Sequence, residues 1–458
     1  MKNNSLPVRL LHQWEYDCMK FLPIMHPNSI WRSNRYMNSD DPEQGWKVHI
    51  SSTIINASQV LKCVAPFLSK LEVLYKAPIS LYELGKINSG LYYGFSQIGK
   101  FITVYPRSNE EALYITEMLH NMTTNLNAPI IPFDLRFKEN SCVYYRYGAF
   151  KLINMNYRGT VTPAVRDLFG NLVPDLRSSG SAAPSWLNNP FSNISHANTT
   201  QSSGEDMPLG KTIFAYEAIT QRGKGGVYSS IDLSVKPTRR CILKEGRSNG
   251  ETNWDSSDGY SRLKHEEMII KCLNENGIDV PKIFSSFIYQ NNYYVVMEYI
   301  EGENLNSLIN KGISFKNALN YGLQLTSIID KIHSCGWVWR DCKPMNLIID
   351  YNDLLRPLDF EGACNIDNPD ETPWGSPGFA PPEWREYPLN KSRLPEDLYA
   401  LGVTLHQIFS KCLQQEDISV QLTTPILEMI ITLLHLDPNK RPQAKQVYEI
   451  LAKVYRNI

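Results

Sequence analysis

Trp339-Arg340-Asp341-Cys342-Lys343-Pro344-Met345-Asn346, followed by Leu358-Asp359-Phe360-Glu361-Gly362, is the stretch whose reading decides the fold. Its polar residues are those that phosphoryl transfer needs. Asp341 can accept the proton of an attacking hydroxyl, Lys343 can hold a γ-phosphate, and Asn346 and Asp359 offer oxygen ligands to Mg²⁺. The turn residues Asn352 and Asp353 make 347–350 and 354–358 a hairpin, which brings the two metal ligands in from separate strand ends.

Working outward, 212–230 and 240–245 read as strands around a Gly-rich turn. Residues 259–276 read as an amphipathic helix with Leu263, Met268, Ile269 and Leu273 apolar, and 293–300 as a buried strand. Helical periodicity takes over from Phe315, through 319–333 and 398–409. Strands first and helices after is the order of a two-lobed α+β phosphotransferase. Several short signals fall in this frame in workable order: Gly223-Lys-Gly225-Gly226, Cys241-Ile-Leu-Lys244, Met297-Glu298-Tyr299-Ile300, Gly375-Ser-Pro-Gly-Phe-Ala-Pro-Pro-Glu383, Asp397 in Glu-Asp-Leu-Tyr-Ala-Leu-Gly402, and Arg441 in Asp-Pro-Asn-Lys-Arg-Pro442.

From Gly223 to Pro442 the chain closely resembles a protein kinase. The resemblance implies that Gly223, Gly225 and Gly226 let backbone approach the phosphates of ATP. It implies that Lys244 contacts the α- and β-phosphates, oriented by Glu266 or its neighbour Glu267, and that the backbone of Glu298 and Ile300 holds adenine. Glu383 is expected to pair with Arg441, and Asp397 to brace the catalytic loop. Two departures stand out: Trp339 where many kinases carry His, and Glu361 inserted so that Asp-Phe-Glu-Gly replaces Asp-Phe-Gly. Neither removes a phosphate or metal ligand.

A chain of 458 residues at 42% hydrophobic suggests two domains, each with its own core. With 46 basic and 47 acidic residues the formal charge is −1, so no global field argues for nucleic acid or a membrane surface. The N-terminus mixes charges into its apolar residues and offers neither a signal peptide nor a membrane span, which reads as cytoplasmic. Nine cysteines without a C-x-x-C pair fit reduced thiols better than a disulfide framework or a zinc site. Gly, Ser, Pro and Asn dominate after about Phe150, most densely over 177–206, where a linker is expected; it either drapes over a domain or stays mobile. The triplets at Asn193 and Asn198 lie in it and read as chance matches to a glycosylation site.

Gly45-Trp46-Lys47-Val48-His49-Ile50 alternates with period two, so Lys47 and His49 share one strand face and Val48 and Ile50 the other. Three further stretches accompany it: Leu74-Tyr75-Lys76-Ala77-Pro78, Gly99-Lys100-Phe101-Ile102-Thr103-Val104-Tyr105-Pro106, and Cys142-Val-Tyr144-Tyr145-Arg146-Tyr147-Gly148-Ala149-Phe150. Together, from about Trp46 through Phe150, they resemble the N-terminal region of class III and class IV lanthipeptide synthetases, whose lyase domain is related to bacterial phosphothreonine lyases. Residues 167–175 and 186–191 look like that family's run into its kinase domain. The resemblance implies a lyase in which Lys76 is the general base and His49 the general acid, with Lys47, Lys100, Arg136 and Arg146 as phosphate-binding cations. Lys100 and Arg136 read equally well as surface charges. A lysine of ordinary pKa ~10.4 must shift by about 3 units to be half neutral at pH 7, which neighbouring cations can supply.

The expected architecture is α+β: a phosphothreonine-lyase-like domain over 1–205, linker included, followed by a bilobal protein-kinase-like domain over 206–458. The resemblance implies a bifunctional dehydratase using ATP and Mg²⁺. It would phosphorylate Ser or Thr of a ribosomal precursor peptide, made of a leader and a Ser/Thr/Cys core, and then eliminate the phosphate. Family members continue into a cyclase domain, which this sequence lacks after Ile458; a separate cyclase, a lost one and a truncated chain stay open. Two rival readings also stay open: a Ser/Thr kinase with an N-terminal regulatory or peptide-binding module, and a catalytically weak scaffold.

Overall fold

In the computed structural model, the described residues are 6–176, 183–192, 209, 212–369, 374–386, 393–415 and 418–458. Most of the expected linker, with Asn193 and Asn198, lies outside them. The fold is mixed α/β. The chain divides into two units, one of residues 1–239, 243–262 and 287–294 and the other of 240–242, 263–286 and 295–458.

The first unit is built on seven strands: β1 (Ile24–Met25), β2 (Trp31–Ser33), β3 (Gln44–Ile50), β4 (Leu74–Pro78), β5 (Ile102–Tyr105), β6 (Leu135–Arg136) and β7 (Val143–Ala149). Their order is β1-β2-β4-β5-β3-β7-β6, and every neighbouring pair is antiparallel. The period-two reading of β3 holds. Val48 and Ile50 are fully buried and join Tyr75, Ala77, Ile102, Val104 and Val143 in one core with the helices α1 (Leu6–Phe21) and α2 (Ala57–Lys70). Burying a Val or Ile side chain in this way contributes about 1.5–3 kcal/mol, so slipping β3 by one residue, which would put Lys47 and His49 into that core, is strongly disfavoured. The opposite face is thereby reserved for polar residues.

Helices α3 (Leu81–Ser89) and α4 (Asn109–Met122) start at Ser80 and Ser108, whose hydroxyls accept from the N–H groups of Glu83 and Glu111. The region after Phe150 is not all linker. It holds a small antiparallel sheet of β8 (Asn154–Tyr157), β9 (Thr160–Arg166) and β10 (Leu172–Pro174). Within the Ser/Pro-rich run, 183–192 drapes over the domain: Phe191 is fully buried and stacks on Tyr145 with ring centroids 3.8 Å apart, in a second cluster with Trp46.

The strands β11 (Ile213–Arg222), β12 (Gly225–Asp232), β13 (Arg239–Gly246), β14 (Ile283–Tyr289) and β15 (Asn292–Glu298) form a sheet in the order β11-β12-β13-β15-β14, with α5 spanning Gly259–Glu275. The remaining helices lie in the second unit: α6 (Leu305–Lys311), α7 (Phe315–Ser334), α8 (Pro395–Gln415), α9 (Val420–Leu433) and α10 (Ala444–Tyr455). The expected hairpin is present as β18 (Leu347–Asp350) paired with β19 (Leu355–Pro357), and β16 (Gly302–Asn304) flanks it; β17 (Trp337–Val338) pairs with β20 (Cys364–Asn365).

Candidate active sites

The sheet register places the polar residues of the first unit. His49 lies opposite Thr103, and Thr103 opposite Lys76, so these three form one row across β3, β5 and β4; Lys47 lies opposite Arg146 on β7. Side chains of directly opposed residues share a face. They line a cavity of about 70 Å³ together with Trp31, Gln97, Lys100 and Tyr105. Lys76 has its Nζ 4.4 Å from the ring centre of Trp31 and 5.8 Å from that of Tyr105.

Lys100 is no surface charge. It is 5% exposed, and its Nζ lies 3.1 Å from Oδ1 of Asp134. The same carboxylate meets Nδ1 of His49 through Oδ2 at 2.6 Å and stands 3.9 Å from Nε of Arg146. Arg146 also donates from Nη2 to Asp175 at 2.5 Å. Burial pushes the His49 imidazolium pKa down to about 4, with Lys100 and Lys47 adding to the shift and Asp134 opposing it. For Asp134 burial acts to raise the pKa, and Lys100, His49 and Arg146 outweigh it, holding the carboxyl well below the usual range.

Arg136 does not join them. It lies opposite Tyr144 on the sheet's β6 edge, its Nε donates to the carbonyl of Ser141 at 2.7 Å, and its guanidinium sits over the Tyr144 ring. It does not line the cavity. Asp134, Asp175, Trp31 and Gln97 are the residues that sequence reasoning missed. A lone Asp between Phe133 and Leu135 carries no spacing signal.

In the second unit the catalytic loop is assembled as its spacing suggested. Asp341 Oδ2 accepts from Lys343 Nζ at 2.7 Å and from Asn346 Nδ2 at 2.8 Å, and Oδ1 accepts from the hydroxyl of Ser376 at 3.0 Å. Ser376, which also accepts from Lys343 at 2.6 Å, was quoted in the sequence only as part of a closing segment. The Leu358 N–H donates to the Asn346 carbonyl at 2.8 Å, so the strand ends that carry Asn346 and Asp359 lie side by side. An amide oxygen and a carboxylate are the hard donors that Mg²⁺ accepts, and they fit such an ion.

Trp339 explains its own departure. Its Nε1 donates to the carbonyl of Asp359 at 2.9 Å and its ring stacks on Phe360 at 5.2 Å, tying Trp339 to the segment that carries Asp359. Asp397 accepts from the N–H groups of Trp339 and Arg340 at 2.7 and 2.6 Å, with His333 Nε2 at 3.0 Å. Arg441 meets Glu383 through two parallel bonds of 2.7 and 2.8 Å. Both bracing expectations therefore hold. Buried Glu266 accepts from the Phe360 N–H at 3.1 Å, while Glu267 accepts from Lys271 at 2.6 Å. The Glu298 N–H donates to the carbonyl of Lys282, its carboxylate accepts from Arg356, and Ile300 is buried.

In the first unit Lys244 lies half-buried on β13. Gly223 and Gly225 sit at the β11–β12 turn, where a Cβ would overlap the carbonyls of Asn88 and Glu245 respectively; Gly226 follows on β12. The Gly223 N–H already donates to the carbonyl of Ser89 at 2.9 Å, so close backbone approach is one reason for that glycine.

Residues 223–451, half of the chain, match the protein kinase domain. The chain belongs to the protein kinase family. Residues 24–203 match the family described as RamC, N-terminal domain, so this kinase domain follows a RamC N-terminal domain. The two-domain form expected from the lanthipeptide-synthetase resemblance is thus borne out. The kinase is 27% identical over 385 residues to a probable SapB synthase of Streptomyces coelicolor, covering 81% of this chain and 40% of that one. It is 27% identical over 264 residues to serine/threonine-protein kinase D of Synechocystis, covering 52% of this chain and 51% of that one. The hormonally up-regulated neu tumor-associated kinase of Homo sapiens is 29% identical over 220 residues, 40% of this chain and 30% of its own. The chain thus spans about half or less of each of these relatives. The kinase domain supports kinase activity and implies ATP and a divalent metal in general. Among the described residues no helix is long and apolar enough to cross a membrane.

Proposed function

We propose that this kinase is a bifunctional dehydratase of a ribosomal precursor peptide, with a lyase domain over 1–205 and a kinase domain over 206–458. The observation that carries the reading is the cavity gathering Lys47, His49, Lys76, Lys100 and Arg146 in a chain that also holds a complete kinase catalytic loop. The relative described as a probable SapB synthase adds support for a peptide substrate.

Bound ATP with Mg²⁺ supplies the phosphoryl group and neutralises charge on its oxygens. Asp341 holds the attacking Ser or Thr hydroxyl and accepts its proton, while Lys343 stabilises the transferring phosphoryl and Asn346 and Asp359 hold the metal. In the second step Lys76 takes the Cα proton. The Cα–H electron pair becomes the second bond of Cα=Cβ, the Cβ–O bond breaks, and phosphate departs with the Cβ–O pair on its oxygen. Lys47, Lys100 and Arg146 bind the phosphate oxygens, and His49 protonates the departing one. The other cations on the cavity wall disfavour charge on Lys76, while the ring of Trp31 favours it. Burial disfavours the charged form of His49, and a bound dianion would favour it. Ring closure by Cys thiols would fall to a cyclase in the same or another polypeptide.

The test is the mass of a precursor peptide after incubation with ATP and Mg²⁺. Loss of one water supports the dehydratase, gain of phosphate alone supports a plain kinase, and no change supports a scaffold. Lys76→Ala should accumulate phosphopeptide, and Asp341→Asn should block both steps. A Lys76→Ala variant that no longer phosphorylates would refute the assignment of that lysine.

A further inference from the structure

Asp134 touches three of the cavity's cationic or protonatable groups, and it is not itself on the cavity wall. It is 3% exposed, in the segment between α4 and β6. A carboxylate stripped of water costs several kcal/mol unless it is paired, and here the pairing is divided. One oxygen takes His49 Nδ1 at 2.6 Å; the other faces Lys100 at 3.1 Å and Arg146 at 3.9 Å. A carboxylate against Nδ1 requires the proton on that nitrogen, which makes Nε2 the one free to exchange a proton.

We infer that Asp134 is a positioning residue for the phosphate cavity: it fixes His49 as the Nδ1–H tautomer and offsets the charge of Lys100 and Arg146, without contacting the phosphate itself. Removing its charge leaves every cation in place and takes away one negative charge beside the anion site. Binding of phosphate therefore does not weaken. The imidazole, however, loses the partner that sets its tautomer and its rotation, so the proton-transfer step suffers. A residue of merely structural importance would impair binding and turnover together.

Only the kinetic half of the test rests on the elimination proposed above. The full chain, labelled with ¹⁵N-histidine, is followed by NMR at neutral pH with and without inorganic phosphate, and His49 is assigned by its loss in His49→Gln. The wild type should carry its proton on Nδ1, and Asp134→Asn should lose that preference. A wild-type His49 protonated on Nε2, or a tautomer unchanged in Asp134→Asn, overturns the inference. If Asp134→Asn does not fold, the wild-type spectrum decides. With a synthetic phosphothreonine peptide, Asp134→Asn should lower kcat on the order of 10²- to 10⁴-fold while KM stays within about threefold. A raised KM at unchanged kcat overturns it as well. Should the wild type eliminate phosphate from no peptide, the dehydratase reading fails and the NMR result still decides the role of Asp134.

Discussion

Replacing Asp397 by Asn should cost the kinase its phosphoryl transfer well before it costs the fold. Fully buried Asp397 accepts from two consecutive N–H groups, at 2.7 Å from Trp339 and 2.6 Å from Arg340. Arg340 has φ +69°, a left-handed conformation that a non-glycine residue holds at about 1–3 kcal/mol. The bonds to the carboxylate, about 1.5–3 kcal/mol each, are what hold it there. An asparagine can accept one N–H through its amide oxygen but presents an NH₂ group to the other. The lost bond is as large as the strain it opposed, so Arg340 relaxes and carries Asp341, the next residue, off position. A displacement of about 1 Å at a reacting group costs on the order of 10²-fold, whereas losing one such bond lowers the melting temperature of a domain this size by roughly 3–12 °C. The assay is the initial rate of phosphate transfer from ATP to a Ser/Thr peptide, beside a melting curve of the same preparation. Elimination from a pre-phosphorylated peptide, governed by the other unit, serves as the internal control. An Asp397→Asn protein that transfers phosphate within about threefold of wild type would refute the bracing argument.

Arg146→Ala should abolish elimination from a phosphopeptide, because Arg146 lines the cavity, and Arg136→Ala should leave its rate nearly unchanged, because Arg136 is spent on Ser141 and Tyr144; steady-state kinetics compare them. Glu383→Gln alone should destabilise the kinase by about 3–5 kcal/mol in denaturant melts, and Glu383→Gln with Arg441→Met by clearly less, since the single change takes the carboxylate from the buried Arg441 guanidinium. Burial raises the Glu396 pKa to about 7, with Arg340 offsetting part of the shift. Between its ordinary value of 4.5 and about 7 the native state holds that proton more tightly than the unfolded chain, so stability should fall as pH rises through this window, by about 3 kcal/mol. Melts at pH 5 and pH 8 should show that loss in wild type and a flatter profile in Glu396→Gln.

The kinase half was legible because its chemistry is local in sequence. Asp341, Lys343 and Asn346 lie within six positions, and a hairpin returns Asp359 to them, so spacing alone brings them together. Ser376 escaped notice since its contact with Asp341 depends on how a loop folds back. In the N-terminal domain, period two revealed which face of β3 is polar and nothing about distance across strands. Arg136, Tyr144 and His49 fall in one register row, yet Arg136 stands two strands from His49 and beyond the cavity, while Lys100, on no strand, reaches into it.

Asp134 was illegible for a deeper reason. Cations gathered around one cavity repel one another until an anion arrives. Something has to offset that repulsion during the interval. A permanent carboxylate does so only if it sits behind them, where it compensates charge without occupying the site. That requirement concerns the empty state of a three-dimensional pocket, so no motif announces it; it follows once Lys47, Lys76, Lys100 and Arg146 are seen around one cavity with the Asp134 carboxylate at the back of His49.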